Sequence, residues 1–468
     1  MRLGQISFVS FLSQILAAVL GFVATVLITR NLGSEVFGTY ALIVAVVIWL
    51  KTIAIMGIRS AMVKRLSEEG DTGEYAVAAA LLLGGILTVL SVILLVAAEP
   101  IDTYIGQPAS LIIVVLTWTT AAVAFASGLL QGTHFVHYAS ALKPLETGVR
   151  SGVQIAVIFA GVGLYGLLAG FGLGALIAAI VGVLVVKMMI NRPARRHFVE
   201  LINYARFAWL GRMSNRTFAS IDTVILGLFV SVGLIGIYEV AWNLASILAV
   251  FGTAITQTLF PEMSRVASQD GPGEVANLLE RGLAYAGLLL IPGFIGAVVV
   301  GDLVLYVYGN EFTRGHTVLV LLVFARLLYA YANQLLTALN GLDRPEAAFR
   351  VNAVFLVANV CLNLLLVAAF SWIGAAVATL ISAGLALGLA LRQTHVIVDS
   401  FVVPVGELGR QLLAAGVMGV VVYSLRRLLP GIISVGIGLV GLGAVVYIFV
   451  LLGVSPRFRE TVRDNVMV

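Results

Sequence analysis

Charge is scarce in this chain: only 11% of its 468 residues are Asp, Glu, Lys or Arg, against 60% that are hydrophobic, and the mean hydropathy is +1.07. A typical soluble chain carries about 25% charged and roughly 45–50% apolar residues. A single core stops growing near ~250–300 residues, so a water-soluble fold is excluded and the surplus apolar surface must face lipid. Cysteine is scarcer still. Cys361 stands alone, which rules out an intramolecular disulfide framework and any thiolate metal cluster. Long polar segments are missing too, since the longest extramembrane stretches, around 191–205 and 261–282, have the size of a surface helix or connector. The balance of 28 basic against 23 acidic residues is ordinary for a membrane protein with basic cytoplasmic loops and gives no ground for nucleic-acid binding.

What is present is one long apolar run after another. The first, Ile6 to Thr29, is too long for a secretory signal and lacks a cleavage site, so it is expected to remain as a spanning helix. A helix crosses the hydrocarbon layer with about 20 residues. On that basis about fourteen spans are expected, at 6–29, 38–58, 76–98, 109–131, 145–163, 165–190, 206–230, 236–260, 283–307, 316–341, 349–370, 373–394, 408–428 and 431–453. Lys and Arg collect in alternate loops, among them Arg59, Lys64 and Arg65, then Arg192, Arg195 and Arg196, and finally Arg457, Arg459 and Arg463. Arg426 and Arg427 break the alternation, and Arg314 stands alone in another loop of the poorly charged side. Both termini are therefore expected on the cytoplasmic side of the cell membrane.

The halves repeat each other. Gly128-Leu129-Leu130-Gln131-Gly132 pairs with Thr337-Ala338-Leu339-Asn340-Gly341, 209 positions on, and Lys143, Arg150 and Gln154 then fall on Asn352, Asn359 and Asn363. Gly38-Thr39-Tyr40 pairs with Gly236-Ile237-Tyr238, 198 positions on, and Gly166 matches Gly374. Six spans separate each pair, so the repeats run parallel about an axis along the membrane normal. The expected fold is an all-α integral membrane protein with two six-helix lobes and two added helices. The first lobe covers 1–200 (helices one to six), the second 201–396 (helices seven to twelve), and 397–468 holds helices thirteen and fourteen with a cytoplasmic tail.

Polar groups inside a bilayer are costly unless they pair or line a wet space, so polar stripes mark interior faces. Helix seven aligns Arg212, Asn215, Arg216, Asp222 and Thr223; helix eight aligns Glu239, Trp242, Asn243 and Ser246; helix ten aligns Arg326, Tyr329 and Asn333. Asn359 and Asn363 share a face of helix eleven, Gln14 lies on the polar face of helix one, and Lys51 lies on helix two. Polar side chains also serve as helix–helix glue, worth about 0.6 kcal/mol each. Arg326 sits about ten residues, roughly 15 Å, inside its helix, too deep for simple snorkelling. The inward cations Lys51, Arg150, Arg212, Arg216 and Arg326 outnumber the acids Glu146, Asp222 and Glu239. Surplus guanidinium groups match phosphate oxygens, which points to an anionic phosphate or diphosphate rather than a cationic drug.

The stretch Leu27-Ile28-Thr29-Arg30-Asn31-Leu32-Gly33-Ser34-Glu35-Val36-Phe37-Gly38-Thr39-Tyr40 resembles the polysaccharide or O-antigen flippase branch of the multidrug, oligosaccharidyl-lipid and polysaccharide exporter superfamily. Phe260-Pro261-Glu262-Met263-Ser264 and Leu339-Asn340-Gly341-Leu342-Asp343-Arg344-Pro345 are similar to that branch as well, and the two extra helices to its lipid II flippases. The resemblance implies lobes around a central cationic cavity, alternating access, and a lipid-linked oligosaccharide whose head crosses while its tail stays in the bilayer. Lys51, Arg216 and Arg326 would be cavity cations. A monomer is expected, with membrane lipids around it and Na+ or H+ as coupling ion, and no cofactor. Two other classes compete. A drug or cation antiporter of the same superfamily would carry an acid within helix one, and Ile6 to Thr29 has none. A membrane glycosyltransferase or polymerase would need carboxylates or a metal on a sizeable outer loop, and Glu99, Asp102, Asp302 and Glu311 are scattered, while His134 and His137 have no carboxylate beside them.

Overall fold

The computed structural model describes residues 3–55, 57–68, 70–186, 191–208, 221–269, 272–398 and 401–466. Every regular element among them is helical, as a bilayer demands, because a helix satisfies its own backbone hydrogen bonds and an open strand does not. Nine helical stretches among the described residues are long and apolar enough to cross a membrane. Two of these, Leu16–Ile55 and Pro345–Ile397, are each broken once, at Gly33 (φ 76°, ψ 178°) and at Ser371 (φ 57°, ψ −148°). Both breaks fall where the sequence reading separates two spans.

The chain divides into two compact units, one of residues 1–216 and 231–236, the other of 217–230 and 237–468. Unit 1 holds α1 (Leu3–Ile55), α2 (Ile58–Ser67), α3 (Thr72–Val96), α4 (Ala98–Ile105), α5 (Ser110–Gly132), α6 (Val136–Phe159), α7 (Gly163–Val185) and α8 (Arg195–Ala208). Unit 2 holds α9 (221–229), most of α10 (Val232–Leu248), α11 (Val250–Gln269), α12 (Pro272–Ala286), α13 (Leu290–Tyr306), α14 (His316–Gly341), α15 (Pro345–Ile397), α16 (Val405–Leu428), α17 (Ile433–Val454) and α18 (Pro456–Val466).

In unit 1, α6 runs along both α1 and α7, and small residues set how closely they approach. A Cβ on Gly170 would meet the Gln154 side chain, and one on Gly174 would meet the Glu146 carbonyl. Residues 232–236 cross α1 at a pair of glycines, where a Cβ on Gly38 would overlap the Val232 carbonyl and one on Gly236 the Ser34 carbonyl. Surface helix α8 occupies the segment read as a surface helix or connector. Its Leu201 and Ala205 are buried against α2 and α3, the Tyr75 hydroxyl donates to Glu200 at 2.5 Å, and His197 and Arg196 both hold Asp71. Those two contacts keep the Asp71 carboxyl below its ordinary range, the His197 hydrogen bond being the larger cause. Between α4 and α5, Asp102 accepts from the Ser110 hydroxyl at 2.6 Å and from the Ala109 and Ser110 amides, which likewise depress its pKa.

Unit 2 is knitted by an apolar core in which Leu290, Ile291 and Val300 of α13 and Leu327 of α14 meet Met418 and Val422 of α16 and Leu439 and Tyr447 of α17. The last two spans are thus packed into this unit. Outward faces stay apolar, with Val89 and Val92 of α3, Leu365 of α15 and Phe449 of α17 exposed, as expected where the solvent is acyl chain.

Candidate functional site

A polar cluster lies inside unit 2, built from adjacent residues on neighbouring helices. Asp222 and Thr223 on α9 face Tyr238 and Glu239 on α10, where the Tyr238 hydroxyl donates to Asp222 and the Thr223 hydroxyl to Glu239. From α15, Asn363 Nδ2 donates to Asp222 Oδ1 at 2.9 Å and Thr379 Oγ1 donates to Asp222 Oδ2 at 2.7 Å. These two donors come from opposite sides of the break at Ser371, so the carboxylate staples the two segments of α15 to α9. Asp222 is 3% exposed, and a carboxylate so far from water persists only when its lone pairs are met by donors.

Arg326 on α14 donates to the Ser246 hydroxyl at 2.5 Å, and its guanidinium carbon sits 4.1 Å from the centroid of the Trp242 ring. A cation–π contact of this kind is worth about 0.5–2 kcal/mol, more as water is excluded. Arg326 is also within Coulombic reach of Asp222. Among the described residues, the two carboxylates of this cluster are Asp222 and Glu239, and Arg326 is the positive charge that acts on Asp222. One turn along α15 from Asn363, Asn359 is fully buried, and among the described residues neither its Nδ2 nor its Oδ1 has a partner; Asn363 Oδ1 has none either. Buried polar atoms are rarely left so. Asn359 thus lies one turn from the amide that donates to Asp222.

Unit 1 has a cluster of its own. Gln154 Nε2 on α6 donates to the Tyr40 hydroxyl on α1 and to the Leu167 carbonyl on α7, both at 3.0 Å. The Tyr40 ring meets Phe171 edge-on at 6.3 Å, and the Arg150 guanidinium carbon lies 5.9 Å from the same ring. Lys143 pairs with the buried Glu146 at 3.2 Å.

Of the residues singled out in the sequence, the structure brings Asp222, Glu239, Asn359, Asn363 and Arg326 into unit 2, with the first four around one carboxylate pair or one turn from it. Asn333 is half-buried on α14, and Asn243 is exposed on α10. Arg150 and Lys51 are half-buried in unit 1. Arg212, Asn215 and Arg216 lie outside the described residues, as does the side chain of Gln14. Among the described residues no group of three His, Cys, Asp or Glu side chains is placed to hold a metal ion. The sequence reading missed Tyr238 and Thr379 as site residues. Tyr238 carried a signal in its match to Tyr40; Thr379 carried none, because a lone hydroxyl in an apolar helix ordinarily bonds to its own backbone.

Residues 3–267 match the family described as polysaccharide biosynthesis protein. Two proteins of Haloferax volcanii are similar from end to end. The probable flippase AglR is 33% identical over 99% of this chain and 98% of its own length, and the probable low-salt glycan biosynthesis flippase Agl15 is 25% identical over 100% and 99%. Among solved structures, lipid II flippase MurJ in an inward closed conformation shares the fold with a TM-score of 0.83 at 12% identity, covering 97% of this chain and 100% of that one. An inward-facing multidrug resistance MATE transporter gives 0.64 at 15% identity over 81% and 95%.

Proposed function

The chain belongs to the polysaccharide biosynthesis protein family, and from that premise we propose that it is a flippase, a transporter and not an enzyme, which moves a lipid-linked oligosaccharide across the membrane. The observation that carries this reading is the end-to-end similarity to two flippases, one of them 33% identical. The substrate is a sugar chain on an isoprenoid phosphate or diphosphate, for a cell-surface polysaccharide or glycoprotein. Its polar head crosses by alternating access while the tail remains among acyl chains. Residues 1–200 and 201–396 act as the two lobes and 397–468 as the addition, in a monomer of about fourteen spans. Both termini lie on the cytoplasmic side of the cell membrane. Lys51, Arg150, Arg212, Arg216 and Arg326 anchor the phosphate, arginine by bidentate hydrogen bonds that a point charge does not match.

The coupling ion is Na+, held at Asp222. Asn359 Oδ1 and Asn363 Oδ1, one turn apart on α15 and without partners among the described residues, are oxygen ligands of the kind a hard cation takes. Because Asp222 ties α9 to both segments of α15, ion binding there acts directly on how those helices pack. The antiporter reading is weaker, since helix one carries no acid between Ile6 and Thr29.

Reconstitution into proteoliposomes with a fluorescently labelled lipid-linked oligosaccharide tests the reading. Wild type is expected to flip the lipid, and Arg326→Ala to do so roughly 10- to 100-fold more slowly, the loss of a charge-assisted hydrogen bond. Transport of cationic dyes in place of the lipid would overturn the flippase assignment, and an unchanged rate in Arg326→Ala would remove that residue from the anchor set.

A further inference from the structure

The internal repeat gives unit 1 a face whose counterpart in unit 2 is covered. Carried forward 209 positions, Trp118 falls on Leu327 and Ala122 on Tyr331, so α5 corresponds to α14. The packing keeps the same register. A Cβ on Gly132 would meet Leu66 of α2, and a Cβ on its counterpart Gly341 would meet Met263 of α11. In unit 2, Leu327 is only 9% exposed because it joins a core with Met418 and Val422 of α16, on which Tyr331 also packs. The added helices α16 and α17 both belong to unit 2. Trp118 of unit 1 is left 39% exposed.

What the uncovered face offers is an apolar groove of about 420 Å³, open on its outer side, where α3 and α7 flank α5. Leu83 and Leu87 of α3 are buried in its wall, Phe125 of α5 lines it, and Ile180 and Leu184 of α7 are exposed along its edge. The two ends differ. At one, the Trp118 indole Nε1 donates to the Ser91 hydroxyl at 3.0 Å, so α5 is bridged to α3 across the groove. A helix running the length of the face, as α16 does in unit 2, would meet that bridge; a flexible chain entering from the other end would stop at it.

The other end leads to a basic margin. Ala80 lines the groove six residues, about 9 Å, along α3 from Glu74, which accepts from Asn191 Nδ2 at 3.1 Å. Arg192 follows Asn191 and Arg195 opens α8, and both are exposed. The acids nearby are engaged by other groups: Asp71 by Arg196 and His197, Glu68 by Arg65, and Glu200 by Arg65 and Tyr75. Arg192 and Arg195 take part in none of these pairs. At the N-terminus of a helix the dipole disfavours a cation such as Arg195 and favours an anion beside it.

We propose that one anionic membrane lipid resides in this groove, with its acyl chain against α5 between α3 and α7 and its phosphate at Arg192 and Arg195. The lipid covers in unit 1 the face that α16 covers in unit 2. Apolar walls alone would accept any acyl chain; the two arginines at the open end select a negative headgroup.

Tryptophan quenching in vesicles tests the site, with a readout independent of transport. The full-length protein is reconstituted into phosphatidylcholine vesicles in which a minor fraction of the lipid is brominated, either phosphatidylglycerol or phosphatidylcholine. The chain has five tryptophans, so the Trp118 signal is the difference between wild type and Trp118→Phe. Brominated phosphatidylglycerol is expected to quench Trp118 at about a tenth of the mole fraction that brominated phosphatidylcholine needs, and Arg192→Gln combined with Arg195→Gln to abolish that preference. Mass spectrometry of the intact protein released from the same vesicles is expected to find one phosphatidylglycerol on wild type and none on the arginine variant, and it decides alone should Trp118→Phe not fold. Equal quenching by the two lipids, or a preference that survives in the arginine variant, would overturn the proposal. So would displacement of the phosphatidylglycerol by a polyprenyl diphosphate, which would make the groove a substrate site. An unquenched Trp118 together with a cross-linked dimer would overturn it too, by placing a helix of a second copy there.

Discussion

Thr379 owes its importance to a single proton. Its hydroxyl donates to Asp222 at 2.7 Å and both groups are buried, so Thr379→Val, which keeps the shape, leaves a carboxylate oxygen short of a donor. The expected cost is about 1–3 kcal/mol, seen as a lower melting temperature of the detergent-solubilised protein. In an Asp222→Asn background the same substitution should cost much less, because a neutral amide demands less of its donors. Equal losses in the two backgrounds would mean that the hydroxyl acts elsewhere. At this scale the sequence showed the expensive groups and missed the cheap ones. Asp222, Glu239, Asn359 and Asn363 stood out against apolar runs, since such residues are rare in a bilayer without a reason. Tyr238 and Thr379 did not, for phenols and hydroxyls are common there and reveal their partners only when the helices meet.

Among the elements, α15 is the most telling. At Ser371 the backbone takes φ 57° and ψ −148°, a conformation that costs an L side chain about 1–3 kcal/mol and glycine little. Ser371→Gly is expected to raise the melting temperature modestly, by a net of about 1 kcal/mol or less once the greater freedom of glycine in the unfolded chain is counted. A fall would mean that the serine side chain itself holds the break. The boundary was legible in the sequence as the end of one apolar run and the start of the next. Its tightness was not: a single residue reverses the helix, and so Asn363 and Thr379 reach the same carboxylate. Surface helix α8 was legible as a stretch of the size of a surface helix or connector, but its docking was not, because its partners Asp71 and Tyr75 lie more than a hundred residues earlier.

For the molecule as a whole, the distribution of Lys and Arg makes a prediction about sidedness. In a Cys361→Ala background, a cysteine at Asp102 is expected to react with an impermeant maleimide added outside intact cells, and cysteines at Glu68 or Arg459 only after permeabilisation. The reverse pattern would invert the proposed orientation and with it the direction of transport. Cysteine scanning is simple here because the chain has a single native thiol.

Hydropathy alone settled that this is an all-helical, multi-pass membrane protein, because lipid penalises every exposed polar group and leaves the penalty written in the composition. The internal repeat, too, could be read from residue types at fixed spacing. Which polar residues meet was decided only by tertiary structure. Asp222 lies well over a hundred positions before Asn363 and Thr379, and nothing in the order of residues says that α9 and the two segments of α15 bring them within 3 Å. A bilayer forces buried polar groups to find partners, but only the packing of the helices selects them.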